Sequence, residues 1–260
     1  MRQRRRALGL LVAAVTFVLA TAPARSAPPR LLMLTYSAGF EHEVVRRPTA
    51  SELSTAERVV AELARRSGRF EVSHVFTRED LDRLTAAAVR AHRAVLFFTT
   101  GELPIATEVR QAILQTVRDG GGFIGIHSAT DTWYSVEEYG KLLGGYFDKH
   151  PWHQRVRIIV EDPAHPATRN LGDAFEITDE IYQFRNWSRQ RVHVLLRLDP
   201  RSVDLGRGGR VDGDYALAWT TRYGRGRVFY TALGHEAAVW ADERFQAHLL
   251  GGIEWAFGSP

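Results

Sequence analysis

The chain has 260 residues, 45% of them hydrophobic and 25% charged, a balance that excludes a fibre or a long disordered tract. It carries 34 Lys and Arg, 30 Asp and Glu, and no cysteine. The missing cysteine rules out disulfides, a catalytic thiol, thiolate metal ligands and a lipid anchor on cysteine.

The first 24 residues read as a leader: MRQRRR is a positive n-region, ALGLLVAAVTFVLA is an apolar stretch of 14 residues, and TAPA puts Ala22 and Ala24 at the −3 and −1 positions for cleavage. That is the pattern of a secretory signal peptide cut after Ala24. Its apolar stretch is short for a membrane span, so no stable span is expected once it is removed. A single mature domain, residues 25–260, is expected outside the cytoplasm, periplasmic or secreted. The arginine pair would also suit a twin-arginine route, although the rest of that pattern is weak. The leader holds four arginines and no acid, so the remainder has equal numbers of basic and acidic residues. A nucleic-acid partner, which needs a basic surface, is not expected.

RLLMLTYS (30–37) predicts a buried first strand, and AGFEHEVVRRPTASE after it has no period and reads as a functional loop. Residues 52–66 place Leu53, Ala56, Val59, Val60 and Leu63 at helical spacing. FEVSHVF alternates as a strand, and Thr77 suits an N-cap before an acidic first turn. RAVLFFTT is a continuous apolar run, as in a strand buried on both faces. TEVRQAILQTVRDGG is an amphipathic helix ending at glycine, and FIGIHS is the next strand. This alternation implies a parallel sheet with helices on both faces and a site beyond the carboxyl ends of the strands. The second half is richer in strands: 155–162, 174–184, 191–199, 215–224 and 227–235 all carry strand patterns. KHPWHQ and LGRGGRVDGD read as loops, and DERFQAHLLGGIEWAFG as a closing helix.

GGGFIGIHSATDTW delivers His127 to the end of a buried strand, where many α/β enzymes carry a nucleophile. His235 ends the later strand RVFYTALGH, and His42 follows the first strand. A favourable strand order would bring these three together, with His150 and His153 folded over the same edge. Converging imidazoles would bind a divalent metal, Zn or Mn, with a carboxylate completing the set. They would also transfer protons without a metal, or hydrogen-bond sugar hydroxyls. Taken singly, each histidine is also explained as a surface or capping residue, and His74, His92, His193 and His248 are read that way. In ITDEIYQF, alternation puts Glu180 and Tyr182 on one face, where they would serve acid–base work or form a solvated edge. Candidate substrate contacts are Asp131, Trp133, Gln154, His42, His150 and His153; Tyr134 and Trp152 are further candidate pocket walls, with core packing as the alternative for the aromatic residues.

GGGFIGIHSATDT, GGYFDKHPWHQ, EDPAHPAT, DEIYQF, YGRGRVFYTALGH and HLLGGIEWA, in that order over residues 30–258, resemble the ThuA-like (trehalose-utilisation) family. The resemblance implies a flavodoxin-like three-layer sandwich with a mostly parallel sheet, of the class I glutamine amidotransferase-like superfamily. In that superfamily the elbow holds a nucleophilic cysteine. Here the similar position is His127, so thiol-mediated release of ammonia from glutamine is not available. The resemblance also implies a small-molecule carbohydrate partner, a disaccharide or an oxidised (3-keto) sugar. It points to isomerase, lyase or hydrolase chemistry through His42, His127, His235 and Glu180, or to a sugar-binding protein without turnover.

Overall fold

The computed structural model describes residues 27–258; the leader expected over 1–24 lies outside them. The first half runs Arg30–Leu34 (β1), Thr55–Ser67 (α1), Glu71–Val75 (β2), Arg78–Arg83 (α2), Ala86–Arg90 (α3), Ala94–Phe97 (β3), Thr107–Arg118 (α4) and Gly122–Ile126 (β4). The second half runs Glu137–Leu143 (α5), Tyr146–Val160 (β5), Ala174–Arg185 (β6), His193–Leu198 (β7), Ala216–Tyr223 (β8), Gly226–Thr231 (β9), Ala237–Ala241 (α6) and Glu243–Phe257 (α7). Nine strands form one sheet in the order β2-β1-β3-β4-β9-β8-β7-β5-β6. Helices α1, α6 and α7 pack together on one face, and α3, α4 and α5 on the other. Among the described residues no helix is long and apolar enough to cross a membrane.

Local chemistry sets the helix ends. Ser54 and Glu57 form a reciprocal capping box at the start of α1, and Gly68 closes it in the left-handed region at φ 61°. Thr77 and Asp80 form a second box at α2. The glycine run 120–122 is a packing requirement as well as a helix stop. A Cβ on Gly122 would lie 2.6 Å from the Ala256 carbonyl oxygen in α7, so only glycine lets that helix seat on β4.

The mostly parallel sheet expected from the sequence is corrected by the structure. From β2 through β9 the pairings are parallel, but β9–β8, β8–β7, β7–β5 and β5–β6 are antiparallel and carry the larger share of paired residues. Parallel neighbours need a crossover of a dozen residues, whereas antiparallel ones need only a turn. After α5 the chain supplies no crossover helix until β9 is complete; Gly224 and Arg225 alone connect β8 to β9. The KHPWHQ segment, expected as a loop, lies within β5. It is irregular there: the register with β6 shifts between Phe147 and Lys149 and again between Lys149 and Trp152, around Pro151. Such bulges tolerate proline and re-aim side chains.

Two histidines far from the strand ends tie stability to pH. His248 is fully buried and bonds the Ala167 carbonyl through Nδ1, while His165 Nδ1 accepts from the Ala167 N–H. Burial lowers both from 6.5 to about 4. The unfolded chain therefore takes up protons first as the pH falls. The contribution is whole above 6.5 and is lost between 6.5 and about 4. For His248 the expected slope is up to about 1.4 kcal/mol per pH unit in that window. Urea midpoints measured from pH 7 to pH 4 should fall steeply in the native chain and less steeply in His248→Gln.

Candidate active site

β4 and β9 are parallel neighbours with Ile126 opposite Thr231, so the segments leaving them emerge at one edge. The next residue, His127, has φ 45°, which bulky side chains rarely adopt. This is the sharp turn of a nucleophile elbow, and it aims the imidazole back over the sheet edge. The ring is fully buried, and its Nδ1 lies 2.6 Å from the Ala232 carbonyl just beyond β9. A carbonyl only accepts, so in the neutral ring Nδ1 carries the proton and Nε2 presents a lone pair.

β6 is the far edge strand of the sheet, yet it brings Glu180 to His127. Only Ile158–Val160 of β5 pair with β7, while the rest of β5 pairs with β6 alone. That two-stranded ribbon folds over the carboxyl edge. His127 Nε2 is 3.3 Å from His235 Nδ1 and 3.4 Å from Glu180 Oε2, and His235 Nδ1 is 3.2 Å from the same oxygen. The loop after β1 adds His42, whose ring centre lies 4.9 Å from that of His127 and 5.1 Å from that of His235. His42 Nδ1 is buried without a hydrogen-bond partner among the described residues.

The charges follow from these contacts. Burial alone would raise Glu180, but its contacts with His127 and His235 outweigh it and hold the carboxyl well below the usual carboxylate range. His235 is raised by its hydrogen bond to Glu180 against a burial penalty. Burial, and then the neighbouring His127 and His235, push His42 down to about 3. The site thus holds a carboxylate, an imidazole biased toward its cation and a neutral imidazole.

His150 Nδ1 lies 3.3 Å from Glu180 Oε1, and His153 Nε2 lies 2.6 Å from Glu236 Oε1, so both expected histidines reach the cluster's rim. Tyr182 lays its ring on His127 at 4.1 Å between centres. Asp131 sits half-buried nearby and accepts from the Tyr134 hydroxyl at 2.6 Å; burial raises its carboxyl despite that bond. Other expected contacts are not brought in. Gln154 donates to the Ser202 carbonyl at 3.3 Å. Trp133 is fully buried against Phe97 and Tyr139, and Trp152 is fully buried with its indole N–H on the Asp204 carbonyl. Both tryptophans belong to the core, because their large apolar area outweighs a place at a polar rim.

Two residues were missed. Asp179 is buried and accepts backbone N–H groups of Gly234, His235 and Glu236 at 2.7, 3.1 and 3.1 Å, which fixes the loop carrying His235. Its adjacency to Glu180 was the available signal. Phe40, 65% exposed, stands edge-on to His42 at the mouth. A large aromatic in a loop without periodicity was the clue there. Asp179→Asn would turn an amide NH2 toward backbone donors and leave one unsatisfied. A loss of about 1–3 kcal/mol is expected in a thermal melt, together with reduced turnover, since His235 loses its anchor.

A histidine on a strained elbow, paired with a second histidine and a carboxylate at the edge of an α/β sheet, defines a protein built on a nucleophile-elbow architecture without the nucleophile. The sequence matches the ThuA family, described as trehalose utilisation, over residues 30–256, and the chain belongs to that family. The fold is similar to a putative ThuA-like protein from Bacteroides uniformis, with TM-score 0.68 and 24% identity over 90% of this chain and 94% of that one. A putative ThuA-like protein from Parabacteroides merdae gives TM-score 0.68 and 21% identity, over 89% of this chain and 91% of that one. A cytoplasmic protein of Salmonella typhimurium gives TM-score 0.58 and 10% identity, over 88% and 98%. No curated protein matches the sequence.

Proposed function

We propose that the protein is an exported enzyme of carbohydrate utilisation that moves a proton beside the carbonyl of an oxidised (3-keto) sugar. Family membership supports the carbohydrate role. The observation that carries the chemistry is the triangle of His127 Nε2, His235 Nδ1 and Glu180 Oε2, with sides of 3.2–3.4 Å. A carbon beside a ketone is acidic enough to be deprotonated when the developing enolate oxygen is stabilised. His127 offers the base, because the Ala232 carbonyl holds its proton on the opposite nitrogen. His235, kept toward its cation by Glu180, polarises the carbonyl and returns a proton. His42 stays neutral in the wall, and exposed Phe40 offers a flat face to a sugar ring at the mouth.

The test is deuterium exchange. The chain is incubated in D2O with 3-keto-glucosides and 3-keto-trehalose, and label is followed at the carbons flanking the ketone. Exchange or turnover in the native chain, lost in His127→Ala with sugar affinity within a few-fold, is the expected result. Sugar binding with no exchange would make the protein a binder without turnover, and no interaction with any sugar would overturn the carbohydrate reading.

A further inference from the structure

Three mutually close donors ask what lies among them. A single shared proton joins one edge of the His127–His235–Glu180 triangle at a time, and all three separations are long for hydrogen bonds. It also leaves His42 Nδ1 buried and unpartnered, a cost native proteins rarely carry. A cation at the centre would give His42, His127, Glu180 and His235 one common partner. The four residues each offer one ligand atom, and those atoms all lie within 4.8 Å of one another. Donors about 2.1 Å from a common ion stand ~3.0–3.4 Å apart when they subtend angles between octahedral and tetrahedral values. The three measured sides fall at or within that span.

We infer that His42, His127, Glu180 and His235 form a binding site for one divalent first-row transition ion. The supporting contacts are those such a ligand set needs. His127 gives its Nδ1 proton to the Ala232 carbonyl, which fixes the ring and leaves Nε2 for the ion. Glu180 turns Oε2 to the triangle, while its other oxygen faces His150 Nδ1 at 3.3 Å. Three imidazoles and one carboxylate are a borderline donor set that suits Zn, Fe, Co or Mn and not Ca or Mg. The neighbouring group His153, His235 and Glu236 also gathers donors within 4.8 Å, but it is more exposed and its shortest contact, 2.6 Å between His153 and Glu236, is already a complete hydrogen bond. The ion is therefore assigned to the inner group. In a five- or six-coordinate geometry, positions beyond the four protein ligands would take the carbonyl and adjacent hydroxyl of a sugar. That last step rests on the keto-sugar reading above; ion binding itself does not. The ion, when bound, would supply the carbonyl polarisation given there to the His235 proton, since His127 Nε2 and His235 Nδ1 cannot hold an ion and carry protons at once.

The test uses the full chain made without a histidine tag, stripped with a chelator and titrated separately with Mn2+ and Co2+. Mn2+ is followed by loss of the free-ion paramagnetic resonance signal and Co2+ by its visible spectrum. One ion per chain is expected, with a rise in melting temperature. His42→Ala and Glu180→Gln should each weaken binding at least ~10–100-fold, the range already seen when mere supporting contacts are lost. His193→Ala, at a surface pair with Asp162, should bind as the native chain does. A melt of each stripped variant shows whether it is folded, and His127→Gln replaces any that is not. Absence of binding by the native chain overturns the inference, as does unchanged affinity in folded His42→Ala. Loss of the ion in His153→Ala but not in His42→Ala would move it to the outer group and overturn it as well. Deuterium exchange by stripped, metal-free protein would defeat the metal as a functional part while sparing the keto-sugar reading. Tight stoichiometric binding without exchange on any keto-sugar would do the reverse.

Discussion

His127→Ala is expected to lower kcat on a 3-keto-sugar by about 10²–10⁴-fold, the range for removing a positioned acid or base. The ring touches the Ala232 carbonyl, His235, Glu180 and, through ring contacts, His42 and Tyr182. No neighbour stands at the elbow itself, where residue 127 is held at φ 45°. His235→Asn should cost a similar factor, and the double variant hardly more than either alone, since residues acting as one unit are not additive. Steady-state kinetics on the three variants, with melting temperatures to show that each is folded, provides the check. Equal activity in His127→Ala and the native chain would remove the cluster from the chemistry.

Arg47→Ala is expected to lower stability by about 3–5 kcal/mol, the cost of leaving a buried charge without its partner, or on the order of 10 °C in melting temperature for a chain of this size. Glu57 has a fully buried side chain and accepts from Arg47 Nε at 2.7 Å, Arg47 Nη2 at 2.9 Å, the Thr35 hydroxyl at 2.7 Å and the Ser54 N–H at 2.9 Å. It thus clasps β1, the start of α1 and the loop between them. That loop carries Phe40 and His42, so the same substitution should loosen the mouth of the site and raise KM before it changes kcat. Adding Glu57→Gln to Arg47→Ala should recover part of the stability, because the stranded charge is then gone. A denaturant titration of both variants decides; a loss under about 1 kcal/mol in Arg47→Ala would show that the pair is merely a surface contact.

What was legible in the sequence was whatever a local pattern encodes. The βαβ alternation, the cap at Thr77 and the end of β4 follow from periodicity and turn chemistry, so His127 could be placed at a strand end; β9 stops at Thr231, four residues short of the strand end expected at His235. Glu180 and Tyr182 were correctly assigned to one face by alternation, and both turn toward His127. The rest depended on long-range pairing. Nothing local says that β9 inserts beside β4, that β5 and β6 leave the sheet as a ribbon, or that KHPWHQ is a bulged strand. Trp133 and Trp152 stood beside histidines in the sequence, but their own bulk took them into the core. Asp179 escaped notice because its role is to hold backbone amides, which residue type and spacing do not reveal.

The place of β9 between β4 and β8 also bears on how the molecule is made. β9 is the last strand in the chain but lies in the middle of the sheet, and the Ala232 carbonyl just beyond it meets His127 across 105 residues of sequence. Until residues 226–231 arrive, β4 has its partner β3 on one side and an open, wholly apolar edge on the other. Such late, distant pairings slow folding and leave a strand available to other chains. A chain truncated before β9 would therefore be a seed for edge-to-edge association.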